Sequence, residues 1–194
     1  MLLQSQSMEP DETLIGRTLD GDLSAFEQLV ERHRDIVFRV AARIVGPDDA
    51  EDVSQDAFLR AFHRLGQYRG TATFRTWLLQ ITQNTALNAL AWARRRPAET
   101  VGESPETADR DPIRQPVTEL ERRERQERLE LKLRGLRPEY RSLLVLRDLE
   151  GLSYDEIAEV LEMPLGSVKG RLHRARGELI ELLRTNTYDW ELPA

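Results

Sequence analysis

The sequence predicts an all-α protein of two small helical domains joined by a flexible linker. Its 194 residues suit one or two small domains, and Leu, Ala, Glu and Arg, which favour helices, dominate the composition. Apolar residues recur at helical spacing in two stretches, and a proline-rich polar stretch separates them. We therefore place the domains at residues 11–96 and 118–184, with the linker at residues 97–117.

Three helices are predicted in the N-terminal domain. The first begins at a capping box formed by Ser24 and Glu27 and continues to Gly46-Pro47, with its apolar residues on one side. The second covers about residues 48–66, and the third covers about residues 74–93. A short loop joins the second helix to the third.

The linker and the start of the C-terminal domain are indicated by prolines and capping residues. Residues 97–117 contain four prolines, are mainly acidic and polar, and have almost no large apolar residue, which is typical of a flexible linker. Thr118 and Glu121 form a further capping box that restarts helix. Pro138 begins the next helix, because proline is favoured in a first turn.

Residues 151–179 have the pattern of a helix-turn-helix. Ser153 and Glu156 form a capping box for the first short helix, and Pro164 occupies the first position of the second helix after a tight turn. The outer side of the second helix is basic and carries Lys169, Arg171, His173, Arg174 and Arg176. Such a helix fits the major groove of DNA, where arginine bonds guanine edges and other cations meet phosphates. The plainer alternative is a solvated basic face.

The net charge of −6 conceals a segregation of charge along the chain. Residues 9–56 contain thirteen acids and five bases. Residues 69–96 contain five bases and no acid, and residues 165–177 contain four bases and no acid. Two basic segments in an acidic protein predict two contacts with nucleic acid and one face for a basic protein partner.

The third predicted helix combines a side rich in amides with a basic end. The amides are those of Gln80, Gln83, Asn84 and Asn88, which we expect opposite Trp77 and Ile81, and the basic end is formed by Arg94, Arg95 and Arg96. Amides read base edges and arginines neutralise phosphates, which predicts a nucleic-acid contact. The alternative is helix capping, since arginines also suit the dipole of a helix C-terminus. We expect Trp77 in the core rather than as a stacking platform for a base.

The second predicted helix has an acidic side that also carries apolar residues. Its members lie at steps of four and three away from the core: Asp48, Asp52, Gln55, Leu59 and Phe62. An acidic side is often only solvated, but exposed apolar area on it favours contact with a partner. We therefore predict a protein-binding face here.

Several classes of function are excluded by what the sequence lacks. No stretch is long and apolar enough to span a membrane, and residues 1–11 have no signal-peptide pattern, so we expect a cytoplasmic protein without membrane insertion. Cysteine is absent and His33, His63 and His173 are scattered, so we expect no metal and no cofactor. No phosphate-binding glycine loop or nucleophile motif is present, and we expect no enzyme activity.

Two sets of motifs resemble the extracytoplasmic-function sigma factors of the sigma-70 family. The first set resembles region 2 and consists of Gly21-Asp22-x-x-Ala25-Phe26-x-x-Leu29, Ala50-Glu51-Asp52-x-x-Gln55-x-x-Phe58, and Phe74-x-Thr76-Trp77-Leu78 with Ile81 and Asn84-Thr85-Ala86-x-Asn88. The second set resembles region 4 and consists of Gly151-Leu152-Ser153-Tyr154-x-Glu156-Ile157-Ala158, Pro164-x-Gly166-Ser167-Val168-Lys169-x-Arg171-Leu172 and Arg174-Ala175-Arg176. The match covers nearly all of the chain outside the linker.

The resemblance implies a subunit that recruits RNA polymerase to promoters. It places the face around Asp52 and Gln55 on the clamp coiled coil of the largest catalytic subunit of core RNA polymerase, and it implies a further contact with the polymerase flap. The resemblance leaves open whether an anti-sigma factor binds this chain.

The resemblance also implies two contacts with promoter DNA, one with the melted strand and one with the duplex. The loop from Gln67 to Thr76, which contains Tyr68 and Arg75, would hold the minus-ten element together with Asn84 and Asn88. The last helix would read the minus-thirty-five element as duplex.

Two positions in the last helix depart from the common family pattern. Ser167, which belongs to the side implied to read DNA, stands where threonine is common, and Gly170 stands where serine is common. These departures affect the expected promoter preference rather than the class of protein.

Two other functions are consistent with parts of the sequence. A stand-alone helix-turn-helix repressor or activator explains residues 151–179 but leaves the acidic N-terminal domain without a role. An adaptor protein explains the acidic face but gives no role to the two basic segments.

Overall fold

The computed structural model describes residues 9–95, 129 and 131–184, and every regular element in those ranges is helical. The N-terminal half contains α1 (Asp11–Leu19), α2 (Leu23–Val45), α3 (Pro47–Arg64), a 3-10 turn (Leu65–Gln67) and α4 (Phe74–Arg95). The C-terminal half contains a helical stretch at residues 131–135, α5 (Pro138–Leu144), a π-helical turn (Val145–Leu149), α6 (Tyr154–Val160) and α7 (Leu165–Arg184). The predicted all-α class is confirmed, and the predicted linker and the capping box at residues 118–121 lie outside the described residues.

The start of α2 differs from the prediction. Asp22 is its N-cap residue, and the Asp22 carboxylate accepts hydrogen bonds from the backbone N–H of Ser24 at 3.0 Å and from the Ser24 hydroxyl at 2.7 Å. These bonds and the hydrogen bond from Arg17 lower the pKa of Asp22 to about 2. The predicted capping box of Ser24 and Glu27 is therefore wrong, because the carboxylate two residues earlier is a charged and stronger acceptor.

The predicted starts of the later helices agree with the structure to within one residue. The Ser153 hydroxyl accepts a hydrogen bond from the backbone N–H of Glu156 at 3.2 Å, and the Glu156 carboxylate accepts one from the backbone N–H of Ser153 at 2.8 Å. Pro138 is the first residue of α5. Pro164 lies one residue before α7, and its carbonyl accepts the backbone N–H of Val168 at 3.2 Å.

The N-terminal half has a hydrophobic core of its own, formed between α1 and α4. Its buried members include Leu14, Leu29, Val37, Ala61, Phe74 and Leu78. Trp77 is half-buried at the edge of this core, with its ring centroid 5.3 Å from Tyr68 and 5.7 Å from Phe74. The expected core position of Trp77 is thus met only in part, because the residue keeps part of its surface accessible.

A second hydrophobic core joins the two halves of the chain. The N-terminal half contributes Val40, Ile44, Val53, Leu79 and Ala86. The C-terminal half contributes Leu136, Leu143, Leu146, Ile157 and Leu172. α5 packs against α2, and α6 packs against α4. We call this packing of the two halves around the shared core the closed arrangement.

We predict that Asp22→Ala lowers the free energy of unfolding, because it removes the acceptor for the first turn of α2. Glu27→Ala is the matched control, since Glu27 is exposed and occupies the other position of the predicted capping box. Urea unfolding followed by circular dichroism measures both variants. A larger loss for Glu27→Ala than for Asp22→Ala would contradict the observed cap.

Candidate nucleic-acid and protein interfaces

α7 is divided into a buried side and a basic exposed side. Val168, Leu172 and Ala175 are buried at the predicted steps of four and three, where α7 packs against α5 and α6. The opposite side exposes Ser167, Lys169, Arg171, His173 and Arg174. These five side chains are therefore available to a partner, as a helix that enters the major groove requires.

Arg176 differs from Lys169, Arg171 and Arg174 because a carboxylate binds its guanidinium. Its Nη2 donates to Asp148 Oδ1 at 2.6 Å and its Nε donates to Asp148 Oδ2 at 3.3 Å. The hydrogen bond that Arg176 donates to Asp148 raises the pKa of Arg176. The pair joins α7 to the π-helical turn, and no local sequence pattern predicts it, because the two residues are 28 positions apart.

Gly170 occupies α7 without a steric requirement for glycine. A Cβ atom built there would meet Nη2 of Arg174 at 4.0 Å, which is ordinary van der Waals contact. The carbonyl of Gly170 accepts the Nε of Arg174 at 3.3 Å. Packing within the described residues therefore does not explain a residue of low helix propensity at this position.

The amide side of α4 is exposed only in part. Asn84 and Asn88 are exposed and Gln80 is half-buried. Gln83 is 5% exposed, and its Oε1 has no hydrogen-bond partner among the described residues. Grouping Gln83 with the exposed amides is therefore wrong, because it lies one turn after Leu79 on the side of α4 that enters the shared core.

The C-terminal end of α4 is basic and exposed. Arg94 and Arg95 are both exposed in the last turn of the helix. Arg96, the third member of the predicted basic end, lies outside the described residues. Two cations at the C-terminal end of α4 can bind phosphates of DNA, and they also interact favourably with the helix dipole.

Tyr68 makes a hydrogen bond across the loop before α4. Its hydroxyl donates to the carbonyl of Ala72 at 2.7 Å, and the hydroxyl of Thr73 caps the first turn of α4. Burial raises the pKa of Tyr68, and the carboxylates of Glu12 and Asp11 raise it further. The hydroxyl therefore stays protonated and acts as the donor that closes the loop.

α3 exposes the acidic and apolar side that the sequence predicts. Asp48, Asp52, Gln55 and Leu59 are exposed, and Leu59 keeps 59% of its surface accessible. Phe62 is half-buried, with its ring 4.9 Å from the ring of Phe26 on α2.

An apolar groove of about 560 Å³ lies next to this side, between α2 and α3. Val30, Phe38 and Phe58 line it, and Gln55 connects it to the exposed side of α3. Phe38 is 44% exposed, and Arg39 lies beside it in the lining. Phe38 was not predicted as a site residue, because it lies off the apolar side of α2; a large aromatic among exposed residues was the available signal.

Glu150 connects the C-terminal half to α2 through two ion pairs. Its side chain is only 5% exposed, although Glu150 follows the π-helical turn at the surface. The carboxylate accepts the Nη2 of Arg39 at 3.2 Å and also binds Arg43. We call these two ion pairs the Glu150 clasp.

Arg141 provides a buried connection between the halves. Its guanidinium donates to the carbonyl of Ile44 near the end of α2 and to the carbonyls of Leu133 and Arg134 in the C-terminal half. Burial lowers the pKa of Arg141, and the charges of Arg134 and Arg94 lower it further.

No metal site or membrane span is found in the part of the chain that the structure describes. Within residues 9–95 and 131–184, no three His, Cys, Asp or Glu side chains form a group that could hold a metal ion. None of the helices in those ranges combines the length and the apolar composition that crossing a bilayer requires.

Comparison with known proteins assigns the chain to a family. Sigma-70 region 2 matches residues 29–96, and Sigma-70 region 4 matches residues 126–179. The RNA polymerase sigma-H factor of Pseudomonas aeruginosa is 35% identical over 185 residues, which cover 92% of this chain and 96% of that protein. The ECF RNA polymerase sigma-E factor of Haemophilus influenzae is 36% identical over 178 residues, which cover 88% and 93%. This chain is an extracytoplasmic-function sigma factor of the sigma-70 family.

A solved structure supports the same assignment. CnrH in complex with the cytosolic domain of CnrY matches this sigma factor with a TM-score of 0.65 and 29% identity, covering 92% of this chain and 100% of the CnrH chain. Region 2 of the sigma factor includes α3, the loop and α4, and region 4 includes α5, α6 and most of α7. Sigma factors act in transcription initiation and catalyse no reaction, so the expectation of no enzyme activity is confirmed by the family.

Proposed function

We propose that this sigma factor acts in the cytoplasm, where it binds core RNA polymerase, directs it to specific promoters and helps to melt the minus-ten element. The observation that carries this proposal is that one chain exposes three chemically distinct surfaces. These are the acidic and apolar side of α3 with its groove, the amide side of α4, and the basic side of α7. A stand-alone repressor or an adaptor protein would not need all three.

For core polymerase, we propose docking on the exposed side of α3 and on the groove beside it. Asp48 and Asp52 favour a basic partner, and Leu59 with Phe38 offers apolar area that becomes buried on binding. A groove between two helices accepts the side chains of a further helix, which suits a coiled coil such as the polymerase clamp. We also propose a contact between the C-terminal half and the polymerase flap, which the resemblance to the family implies.

For the minus-ten element, we propose capture of a melted strand on α4 and the loop before it. Trp77, Asn84 and Asn88 lie at steps of seven and four, so they share one side of α4, and the expectation that these two amides lie opposite Trp77 is wrong. The half-buried ring of Trp77 offers a stacking surface beside two amides that can bond base edges. Arg94 and Arg95 would neutralise phosphates of the same strand.

For the minus-thirty-five element, we propose that α7 enters the major groove. Lys169, Arg171, His173 and Arg174 are exposed and face away from the buried side of the helix. Arg176 contributes less to DNA binding than these four residues, because Asp148 already binds its guanidinium.

We predict that Asp52→Arg combined with Gln55→Ala weakens binding of core polymerase by about tenfold or more, since it replaces a favourable charge by a repulsive one. Titration of labelled sigma factor with core polymerase measures the affinity. Asp20→Arg is the matched control, because it reverses an exposed acid at the end of α1, away from α3. Equal affinities for the parent and both variants would contradict the docking surface.

We predict that Arg171→Ala costs about 1–3 kcal/mol of promoter affinity if its guanidinium pairs bidentately with a guanine. The loss should concentrate at one base pair of the minus-thirty-five element. Arg176→Ala should cost less, because that side chain is held by Asp148. Binding of holoenzyme to a set of single-base promoter variants separates the two cases, and a larger effect of Arg176→Ala would contradict the assignment.

We predict that Asn84→Ala combined with Asn88→Ala changes the sequence preference for a premelted minus-ten strand while barely changing the salt dependence of binding, because amides carry no charge. Arg94→Ala combined with Arg95→Ala should do the reverse and weaken all sequences alike. Fluorescence anisotropy with premelted templates at several salt concentrations measures both effects. If the amide variant keeps the affinity and preference of the parent, the strand is held elsewhere.

A further inference from the structure

Asp148 binds the guanidinium of Arg176 with both of its carboxylate oxygens. Nη2 of Arg176 lies 2.6 Å from Oδ1, and Nε lies 3.3 Å from Oδ2. Two hydrogen bonds of this kind fix the orientation of a guanidinium as well as its position. Lys169, Arg171 and Arg174 form no ion pair with another residue in the part of the chain that the structure describes. Asp148 therefore occupies one cation of α7 and leaves three available.

Tyr154 gives Arg176 a further contact. Asp148 has the largest effect on Arg176 and raises its pKa, and the hydroxyl of Tyr154 raises that pKa further. The ring of Tyr154 is itself held by Arg147, whose guanidinium carbon lies 4.7 Å from the ring centroid. Nη1 of Arg147 donates to the carbonyl of Leu152 at 2.6 Å. The π-helical turn and the first turn of α6 thus hold Arg176 together.

The position of Arg176 on α7 suits a phosphate of DNA. Arg176 lies seven residues after Lys169, so the two share one side of the helix, about 10 Å apart. Leu172, which is buried, lies between them at steps of three and four, so both cations border the buried side. When a helix lies in the major groove, side chains at its flanks meet the sugar-phosphate backbone and not the base edges. A free Arg176 would therefore add a contact that does not depend on sequence.

The pair lies at the surface, where DNA can compete for it. The side chain of Arg176 is 45% exposed and that of Asp148 is 40% exposed. Water screens an ion pair with this exposure, so a phosphate can replace Asp148 as the partner of Arg176. The exchange breaks the existing pair and leaves the Asp148 carboxylate facing a phosphate of like charge. Arg176 therefore attracts DNA less than its own charge would.

We propose that Asp148 limits the sequence-independent affinity of α7 for duplex DNA by keeping the guanidinium of Arg176 away from phosphate. This inference rests on the proposed entry of α7 into the major groove. Phosphate contacts strengthen binding to every sequence, and wrong sites far outnumber promoters in a genome. Asp148 thus shortens the stay at wrong sites and leaves the choice of sequence to Arg171 and Arg174, which are exposed and free of ion pairs with described residues.

The salt dependence of duplex binding by the holoenzyme tests the proposal. One duplex carries the minus-thirty-five element and a second carries a scrambled sequence in its place. Asp148→Asn keeps the size of the side chain and removes its charge, so Arg176 becomes free to bind a phosphate. The variant should bind both duplexes about tenfold more tightly at roughly 0.1 M salt, with a log–log salt slope steeper by about 0.9. The ratio of the two affinities should stay that of the parent.

Two further variants show whether the gain passes through Arg176. Asp148→Asn combined with Arg176→Gln should return the salt slope to that of the parent, because the released cation is then absent. Asp155→Asn is the matched control, since it makes the same change of charge at an exposed position of α6. It should leave the slope unchanged.

Each outcome supports or overturns the inference. It is overturned if Asp148→Asn keeps the slope of the parent, or if the steeper slope persists without Arg176. A purely structural pair would give a third result, in which Asp148→Asn lowers the affinity and the discrimination between the duplexes without steepening the slope, and this also overturns the inference. Should Asp148→Asn fail to fold, Asp148→Ser removes the same charge and the same criteria apply. Failure of the proposed function is distinguishable, because the parent holoenzyme would then bind both duplexes equally.

Discussion

The position of the C-terminal half depends on the burial of one guanidinium group. Arg141 is 6% exposed, and a buried charge is costly unless hydrogen bonds replace its water. The carbonyls that accept its hydrogen bonds lie at the end of α2 and at the end of the helical stretch 131–135. Carbonyls at helix ends lack some of their partners within their own helix, and Arg141 provides donors for them. The same contacts fix α5 against α2 and thereby bring α6 onto α4.

Local signals in the sequence predict most of the helices. The capping box of Ser153 and Glu156 and the proline at position 138 each start a helix through residues that are at most four positions apart. A short sequence pattern therefore includes every residue that takes part. The predicted start of α2 was wrong for an equally local reason. Asp22 and Ser24 are both good acceptors two residues apart, and only the backbone geometry shows that the charged one caps the helix.

The spacing of the apolar residues predicts which side of each helix is exposed. The candidate surfaces could be predicted from that spacing. The steps of four and three on α7 separate Leu172 from Arg171 and Arg174 without any structure. Periodicity does not show what covers a polar side chain, so the burial of Gln83 under the shared core was not predictable. The binding of Arg176 by Asp148 and the groove beside Phe38 also depend on which helices pack together, which one sequence does not reveal.

The closed arrangement leaves the proposed DNA-contacting side chains of both halves exposed. Asn84, Asn88, Arg171 and Arg174 are all accessible while the two halves are packed together. Packing of the two halves therefore covers neither of the proposed DNA contacts. Two weak contacts on one chain gain up to roughly 10²–10⁴-fold in affinity when both engage, and nothing when geometry permits only one.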